Sequence, residues 1–247
     1  MLSAKIEHNQ ILIDLANDIL EKCRNREIEI RSMGGLGIYF KCVDYQDFLL
    51  NNREPFSDID FLSRHCYMEA IERMFLEMGY EQNNSLKTLQ GNLRRVFYTP
   101  KDISIEIYLE NLQLCQEISI GNRIDLSYPS LSITDLFLSK IQRVDLLDKD
   151  LIDLVVLLMQ HSAEKVSDKI DFPYITEICS KSWNWWKTIT DNLKKIEVFI
   201  KSKDFNQDNI SREIEVFRQK IISGKRSFAW QIRNLVGDKI RWYRYLE

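Results

Sequence analysis

The first half of the chain combines helical and strand-like spacings of apolar residues. In residues 3–23 the apolar positions recur at intervals of three, four and seven, which predicts an amphipathic helix that covers a sheet. Residues 27–33 (EIEIRSM) and 58–62 (DIDFL) have the composition of short strands. Residues 67–78 return to the helical spacing, and Gly79 follows at a position that commonly ends a helix. A mixed α/β region is therefore expected.

Two β-hairpins are predicted next along the chain. Residues 94–99 (RRVFYT) and 103–109 (ISIEIYL) flank a turn that starts at Pro100, and the second of these runs alternates strictly between apolar and polar positions. Residues 117–120 (EISI) and 123–126 (RIDL) are separated by a Gly-Asn pair and predict a smaller hairpin. Both hairpins would extend the sheet region.

Two segments of this half lack a clear period. Residues 44–55 show neither helical nor strand spacing, so a loop or an insertion is predicted there. Turn-forming residues occur at 83–85 (Asn-Asn-Ser) and at 90–92 (Gln-Gly-Asn), and they are predicted to bracket short strands.

The second half is predicted to be helical throughout. Ser132 and Asp135 form a capping pair for a first helix, and Asp148 is placed to cap the next one. The predicted fold class is α+β, with a mixed sheet and a covering N-terminal helix in residues 1–130, followed by a helical domain in residues 131–247.

Composition and charge narrow the class of protein. The chain has 247 residues, 45% of them hydrophobic, which is enough to bury a substantial core. A formal net charge of −3 gives no general attraction to nucleic acid, so any RNA contact would need a local basic patch. The N-terminus carries charged residues where a signal peptide is apolar, and the longest apolar run, Leu154 to Met159, is too short to span a bilayer. Five cysteines without a C-x-x-C pair indicate reduced thiols, so a soluble cytoplasmic protein is expected.

The first chemical candidate is the Asp-x-Asp pair in residues 58–62. Successive side chains of a strand alternate between faces, so Asp58 and Asp60 are expected on one face and Ile59 on the other. Mg²⁺ usually takes one or two carboxylates together with substrate phosphates, so the pair predicts a magnesium site. The alternative is a solvated strand edge or turn, which also uses this pattern.

A glycine pair and a third acid accompany the two aspartates. Gly34 and Gly35 stand where a strand meets a helix, and glycine there lets backbone N–H groups approach a phosphate at the helix N-terminus. An ordinary turn is the alternative. Glu106 lies on the polar face of the alternating run 103–109, and adjacent strands could bring it to Asp58 and Asp60.

This order of motifs resembles a known superfamily. A glycine pair, then Asp-hydrophobic-Asp, then a later strand-borne acid is similar to the nucleotidyltransferases, which include DNA polymerase β and the aminoglycoside nucleotidyltransferases. Residues 131–142 followed by 149–154 resemble a narrower branch, the abortive-infection type toxins and their uncharacterised relatives. The resemblance spans most of the chain.

The resemblance implies an activity. A helical domain would close over a nucleotide, with the active site between the two domains, and a nucleoside monophosphate would pass from an NTP to a hydroxyl or phosphate acceptor on a small molecule, RNA or protein. Two Mg²⁺ ions and the NTP are the implied ligands, and a toxin role follows from the narrower branch. The residues that would carry these roles are Gly34, Gly35 and Lys140 for the nucleotide, and Asp58, Asp60 and Glu106 for the metal ions and catalysis.

Departures from the family pattern motivate a second hypothesis. Many members have Gly-Ser in place of Gly34-Gly35, the spacer of 22 residues from Leu36 to Ser57 is longer than usual, and the third acid is more often Asp than Glu. A catalytically silent module that binds a nucleotide or a partner is therefore the alternative. For Lys140, the alternative to nucleotide binding is a solvated lysine on the polar face of its helix.

Basic residues offer two further candidate contacts. Arg94 and Arg95 could meet phosphates or could be solvated strand residues. Residues 218–247 carry eight Lys or Arg against two acids, and this tail could bind RNA or an acidic partner, or could be a solvated helix with an apolar inner side. Tryptophans at 183, 185 and 186 either pack helices together or stack on bases.

Overall fold

The computed structural model describes residues 2–163, 167–203, 205 and 208–245. Two compact units divide the chain: one is Met1–Gln113 with Glu117–Leu136, and the other is Leu114–Gln116 with Phe137–Glu247. The strands lie in the first unit. The second unit is helical, apart from the short link at 114–116.

The sheet-bearing part of the chain alternates helices with short strands. Its elements are α1 (Leu2–Asn25), β1 (Ile30–Met33), α2 (Gly34–Lys41), α3 (Gln46–Asn52), β2 (Ile59–Ser63), α4 (Met68–Glu77), β3 (Glu81–Gln82), α5 (Asn84–Gln90), β4 (Arg94–Tyr98), β5 (Ser104–Leu109), β6 (Asn111–Gln113) and β7 (Glu117–Ser119). The helices that follow are α6 (Ile133–Ile141), α7 (Asp148–Ser162), α8 (Phe172–Lys181), α9 (Trp183–Ser202), α10 (Asp208–Ser223) and α11 (Phe228–Val236).

Five strands form one mixed sheet in the order β1-β2-β5-β4-β3. Strands β2 and β5 run parallel, whereas the other three neighbouring pairs are antiparallel. The antiparallel pairing of β4 with β5 confirms the first predicted hairpin. The α+β class and the mixed sheet are therefore confirmed.

Helices cover the sheet through fully buried side chains. On α1, Ala16, Ile19 and Cys23 have no exposed surface, and this helix contacts β1, as its amphipathic spacing predicted. From α4, the ring of Phe75 packs edge-to-face on Phe97 of β4, with ring centroids 4.8 Å apart. The sheet is thereby held in a close-packed core.

The segment predicted to be a loop or insertion is helical. A 3₁₀ turn at Val43–Tyr45 leads into α3, so the prediction of a loop was wrong for residues 44–52, whereas residues 53–55 lie outside any helix. Helix α3 has only seven residues, and its single fully buried anchor is Leu49. A two-turn helix with one buried residue shows no detectable period, because its stability comes from tertiary packing.

Two other local predictions were also wrong. Asn83 is not a turn between strands: its Oδ1 accepts a hydrogen bond from the N–H of Leu86 at 3.0 Å and caps α5. The run 123–126 does not pair with 117–120, because β7 pairs with β6, and Ile124–Leu126 forms a 3₁₀ turn. Turn-forming residues and helix caps use the same amino acids, so the sequence alone did not separate them.

The two predicted helix caps have different outcomes. The Ser132 hydroxyl accepts a hydrogen bond from the Asp135 N–H at 3.2 Å. The same hydroxyl donates a hydrogen bond to Oδ2 of Asp135 at 2.5 Å, so this capping pair is confirmed. At the start of α7, Asp148 does not cap. Instead, Oδ2 of Asp150 accepts a hydrogen bond from the N–H of Leu147 at 3.2 Å.

All five cysteines are free thiols, and four of them are buried. Across the residues that the structure describes, every helix is too short or too polar to cross a membrane.

Candidate active site

The glycine pair forms the junction between β1 and α2. Met33 is still extended, with φ −136° and ψ −166°, and Gly34 has φ +63°, a left-handed conformation that favours glycine. A β-carbon at Gly34 would lie 2.3 Å from Oδ2 of Asp60. The left-handed backbone favours glycine here, and a β-carbon would also force the Asp60 carboxylate to move, so the junction brings the start of α2 directly against that carboxylate.

A buried cation adjoins the second glycine. A β-carbon at Gly35 would lie 2.7 Å from Nη2 of Arg53, and Arg53 is only 7% exposed. The guanidinium carbon lies 4.9 Å from the centre of the Phe56 ring, and Nη1 donates a hydrogen bond to the carbonyl of Glu54 at 3.0 Å. The N-terminus of a helix carries a partial positive charge, so this end of α2 combines two sources of positive potential.

Asp60 and Glu106, the acid pair, occupy matched positions on the parallel strands β2 and β5. On its other side, Asp60 pairs with Met33, the residue before the glycine pair. Neighbouring strands lie about 4.8 Å apart, and paired residues project to the same face. The structure therefore places Gly34, Asp60 and Glu106 side by side across three adjacent chain segments.

Asp58 lies outside the strand. It is exposed and precedes β2, which begins at Ile59, so the alternation of the strand does not fix its side chain. Within the described ranges, no group of three or more His, Cys, Asp or Glu side chains is arranged to hold a metal ion. The acid pair alone still offers hard oxygen donors, and Mg²⁺ in nucleotide sites usually takes one or two carboxylates plus phosphate oxygens. The donor chemistry thus fits magnesium bound together with a nucleotide.

Glu106 is held by two donors. Nη1 of Arg94 and the hydroxyl of Tyr108 each donate to Oε2 of Glu106 at 3.0 Å, and Nε of Arg94 donates to Oε1 of Gln90 at 2.8 Å. Both contacts on the carboxylate use Oε2, and no hydrogen bond from a described residue reaches Oε1. Arg94 and Tyr108 therefore fix the orientation of Glu106 while one oxygen stays unused.

The surroundings keep both donors protonated. Burial raises the pKa of Tyr108, and the nearby carboxylates of Asp60 and Glu106 raise it further. Burial lowers the pKa of Arg94, but the charges of Glu106 and Tyr108 and the hydrogen bonds to both side chains together more than offset this effect, so the pKa of the guanidinium is raised. Tyr108 remains a hydrogen-bond donor and Arg94 remains charged throughout the physiological range.

Neither arginine of β4 is a solvated strand residue. Arg94 pairs with Glu106, and Nε of Arg95 lies 3.0 Å from Oε1 of Glu72 on the other face of the sheet. Both arginine side chains are largely buried. That interpretation of the sequence was wrong, because the pattern does not show which acid each arginine will meet across the sheet.

Sequence reasoning missed two residues of this region. Tyr108 could have been found, because it lies two positions from Glu106 in the same alternating run and so shares its face. Arg53 gave no signal, because it follows a helix that the sequence pattern did not reveal.

In the second unit, Lys140 neutralises two buried carboxylates. Its Nζ lies 2.8 Å from Oδ2 of Asp153 and 3.4 Å from Oδ1 of Asp150, and both aspartates are fully buried. Its own side chain is 12% exposed, so it is not a solvated lysine on a polar face. A role of Lys140 in nucleotide binding stays a prediction.

Comparison of the sequence with protein-family models gave no match, and a search of curated proteins also gave none. The residues of the site themselves must therefore carry the functional argument.

Proposed function

We propose that the chain is a metal-dependent nucleotidyltransferase, which transfers a nucleoside monophosphate from an NTP to a hydroxyl or phosphate acceptor. The observation that carries this proposal is the contact of Gly34 with Asp60, which is itself paired with Glu106 on the next strand. A glycine at a helix N-terminus and an acid pair thus occur at one place.

The triphosphate would bind at the N-terminus of α2. Backbone N–H groups at a helix N-terminus are available to anions, and the glycines leave no β-carbon to obstruct them. Arg53 adds a full positive charge beside Gly35. Because the Asp60 carboxylate already lies against Gly34, the phosphates and Asp60 would repel each other unless a cation lies between them.

Asp60 and Glu106 would hold that cation, with Asp58 as a further ligand from the segment before β2. Magnesium supplies charge neutralisation of the phosphates and lowers the pKa of an attacking hydroxyl. Two ions, as the resemblance implies, would need Asp58 to turn toward the acid pair when the nucleotide binds. Asp58 is exposed and outside the strand, so this movement needs no repacking of the core.

Glu106 would act as the base or as a metal ligand through Oε1. Arg94 and Tyr108 bind Oε2 and so keep the carboxylate in one orientation without blocking the other oxygen. A general base must lie within hydrogen-bond reach of the proton that it removes, directly or through one water. The acceptor can be a small alcohol, an RNA end or a protein hydroxyl, and the five free thiols favour action in the reducing cytoplasm.

One observation favours a second candidate, a silent nucleotide- or partner-binding module. Glu106 forms an ion pair with Arg94 of the neighbouring strand β4. An internal cation can take the place of a metal ion in neutralising an acid cluster. Such a protein would bind a nucleotide without turning it over.

The deciding experiment has two stages. Melting temperatures are measured with each NTP in the presence and absence of Mg²⁺, for the wild type, for Asp60→Asn and for Asp44→Asn, which changes an exposed aspartate elsewhere in the same unit. A magnesium-dependent rise that Asp60→Asn abolishes and Asp44→Asn retains supports metal–nucleotide binding. No rise with any NTP would overturn both candidates that bind nucleotide.

Labelled NTPs are then incubated with an RNA pool, with a metabolite extract and with protein. Transfer of label to one acceptor class, with release of pyrophosphate, supports the enzyme, whereas binding without transfer supports the silent module. A toxin role additionally requires growth arrest on expression that Asp58→Asn relieves. Normal growth at high expression, without an antidote, contradicts that role.

A further inference from the structure

Helix α11 is fixed to the rest of the second unit through its inner face. Trp230 is only 8% exposed, and its ring packs edge-to-face on Trp186 of α9, with centroids 5.2 Å apart. At the helix start, the Ser227 N–H donates a hydrogen bond to the carbonyl of Ser180 at 3.0 Å and its hydroxyl donates to the carbonyl of Lys181 at 3.2 Å. Near its end, Oδ1 of Asn234 accepts a hydrogen bond from Nε1 of Trp183 at 2.7 Å. The helix is therefore held at both ends.

The opposite face of α11 presents apolar side chains to solvent. Phe228, Ile232 and Leu235 are 76%, 51% and 84% exposed. They are spaced by four and three residues, so they lie one above another along a single stripe, here named the outer stripe. A rigid helix with an apolar stripe on its exposed face has the form of a docking element.

The segment that carries the outer stripe is rich in basic residues. Residues 218–245 contain eight Lys or Arg and one acid, Asp238. Lys225, Lys239 and Arg241 are exposed, and none of them forms an ion pair with any residue in the described ranges, although the Arg241 guanidinium carbon lies 4.0 Å from the ring centre of Tyr245. Lys225 stands three residues before Phe228 and Lys239 four residues after Leu235, so positive charge flanks the stripe along the chain, and a complementary surface would be apolar in its centre and acidic at its edges.

The tryptophans of this region are not available to stack on RNA bases. The guanidinium carbon of Arg233 lies 4.4 Å from the ring centre of Trp183, and that of Arg226 lies 4.9 Å from Trp230. Trp242 packs edge-to-face on Trp183, with centroids 6.1 Å apart. Binding of single strands relies on aromatic faces that are open to successive bases. Of the exposed apolar side chains on α11, Ile232 and Leu235 are aliphatic and Phe228 is aromatic, so successive bases would not find a row of open rings along this helix, which favours a protein over RNA.

We propose that the outer stripe of α11 docks an amphipathic helix of a partner protein, whose apolar residues are bordered by carboxylates. Anchors at positions i, i+4 and i+7 match the way in which one helix buries its apolar face against another. The exposed lysines and arginine would orient the acidic edges and speed association. This surface is independent of the proposed active site, because every residue that carries it lies on α11 or beside it.

The test uses a synthetic acidic peptide about five helical turns long, with leucines at helical spacing and glutamates beside them. A second peptide has the same composition in shuffled order, without an apolar face. Fluorescence anisotropy is expected to show that the full chain binds the ordered peptide at least about tenfold more tightly than the shuffled one, with weakening at high salt. Leu235→Asp should abolish the preference. Leu89→Asp should retain it, since Leu89 is 79% exposed on α5 of the other unit and so is a matched control.

Several outcomes would overturn the proposal. These are equal binding of the two peptides, equal loss in the two leucine variants, and preferential binding of single-stranded RNA or of anionic vesicles. Concentration-dependent dimerisation that Leu235→Asp removes would assign the stripe to a second copy instead. Circular dichroism and the unfolding midpoint check that Leu235→Asp is folded. Leu235→Ser removes the leucine without adding charge and must lower ordered-peptide binding as well.

Discussion

Gly34 and Asp60 are in such close contact that a β-carbon on the glycine would lie 2.3 Å from a carboxylate oxygen. Gly34→Ala therefore adds a steric clash to the cost of a left-handed backbone, which is about 1–2 kcal/mol for an alanine. We expect Gly34→Ala to lower the free energy of unfolding by more than that backbone cost alone and to weaken the magnesium-dependent thermal shift with NTP. Urea unfolding and thermal shift are the measurements.

Gly79→Ala is the matched control for this prediction. Gly79 has φ +76°, but a β-carbon there would meet nothing within 4 Å, so the change isolates the backbone cost. Combining Gly34→Ala with Asp60→Ala should remove the contact with the carboxyl group and bring the penalty of the glycine change closer to that of Gly79→Ala, although the β-carbon of residue 60 stays 3.2 Å away. If Gly34→Ala and Gly79→Ala lower the free energy of unfolding equally, the contact with Asp60 makes no measurable contribution to stability.

Arg94 and Arg95 are neighbours in β4 but pair with acids on opposite faces of the sheet, so substitutions at the two positions compare the face of the proposed site with the other face. Arg94→Met removes the cation beside Glu106, whereas Arg95→Met removes the cation beside Glu72. Arg94→Met leaves the largely buried Glu106 without its ion-pair partner, at a cost of about 1–3 kcal/mol in unfolding free energy. Arg95→Met should cost less, because Nζ of Lys87 stays 2.9 Å from Oε2 of Glu72. Only Arg94→Met is expected to change the NTP-dependent thermal shift. An identical effect of both variants on that shift would separate Arg94 from the site.

Glu106→Gln tests the role of the acid pair in turnover. The substitution keeps the shape of the side chain but removes its charge, so loss of a general base should lower turnover by about 10²–10⁴-fold. The matched control is Glu110→Gln, on the residue that follows β5. If Glu110→Gln lowers turnover and Glu106→Gln does not, the base has been assigned to the wrong acid.

The sequence predicted those elements whose apolar positions recur over many residues and pack on one buried face. Helix α1 and the hairpin of β4 and β5 were found because their apolar positions recur over many residues. Helices α3 and α5, each with seven residues, were missed because two turns are too short to establish a period and are stabilised by tertiary contacts. Short helices are therefore the elements that sequence patterns identify least well.

The same distinction applies to the candidate site. Alternation in strands placed Asp60 and Glu106 on faces that the parallel pairing of β2 and β5 does bring together. Nothing in the alternation indicated that Arg94 would reach Glu106 from β4, because an ion pair depends on register between strands. Asp58 fell one residue before the strand, where alternation no longer applies.

Lys140 is expected to be required for folding stability whatever its role with a nucleotide. Lys140→Met leaves the fully buried Asp150 and Asp153 without this cation, and breaking a buried ion pair in this way costs about 3–5 kcal/mol. Lys181→Met is the control, because its pair with Glu177 is exposed and should contribute less than about 1 kcal/mol. Chemical denaturation measures both. Adding Asp153→Asn to Lys140→Met should recover part of the loss, and no recovery would indicate that the charge pairing is not the cause.

His161 should make the stability of the second unit depend on pH. Burial lowers the pKa of His161 from its ordinary value of 6.5, although the charge of Glu213 opposes this effect. The ring atom Nδ1 accepts a hydrogen bond from the N–H of Ile170 at 2.9 Å, and it can do so only when it carries no proton. The folded state therefore favours the neutral imidazole.

The sign of the pH dependence follows from the lowered pKa. As pH falls through the unfolded value near 6.5, the unfolded chain gains a proton that the folded chain does not, so the free energy of unfolding decreases. The decrease continues until the lower folded pKa is reached, with a slope of at most about 1.4 kcal/mol per pH unit. His161→Gln should flatten this part of the stability curve, whereas His65→Gln, which changes an exposed histidine, should leave it unchanged. Denaturant unfolding measured from pH 7.5 down to about pH 5 gives the two slopes, and an unaltered slope in His161→Gln would show that another group titrates there.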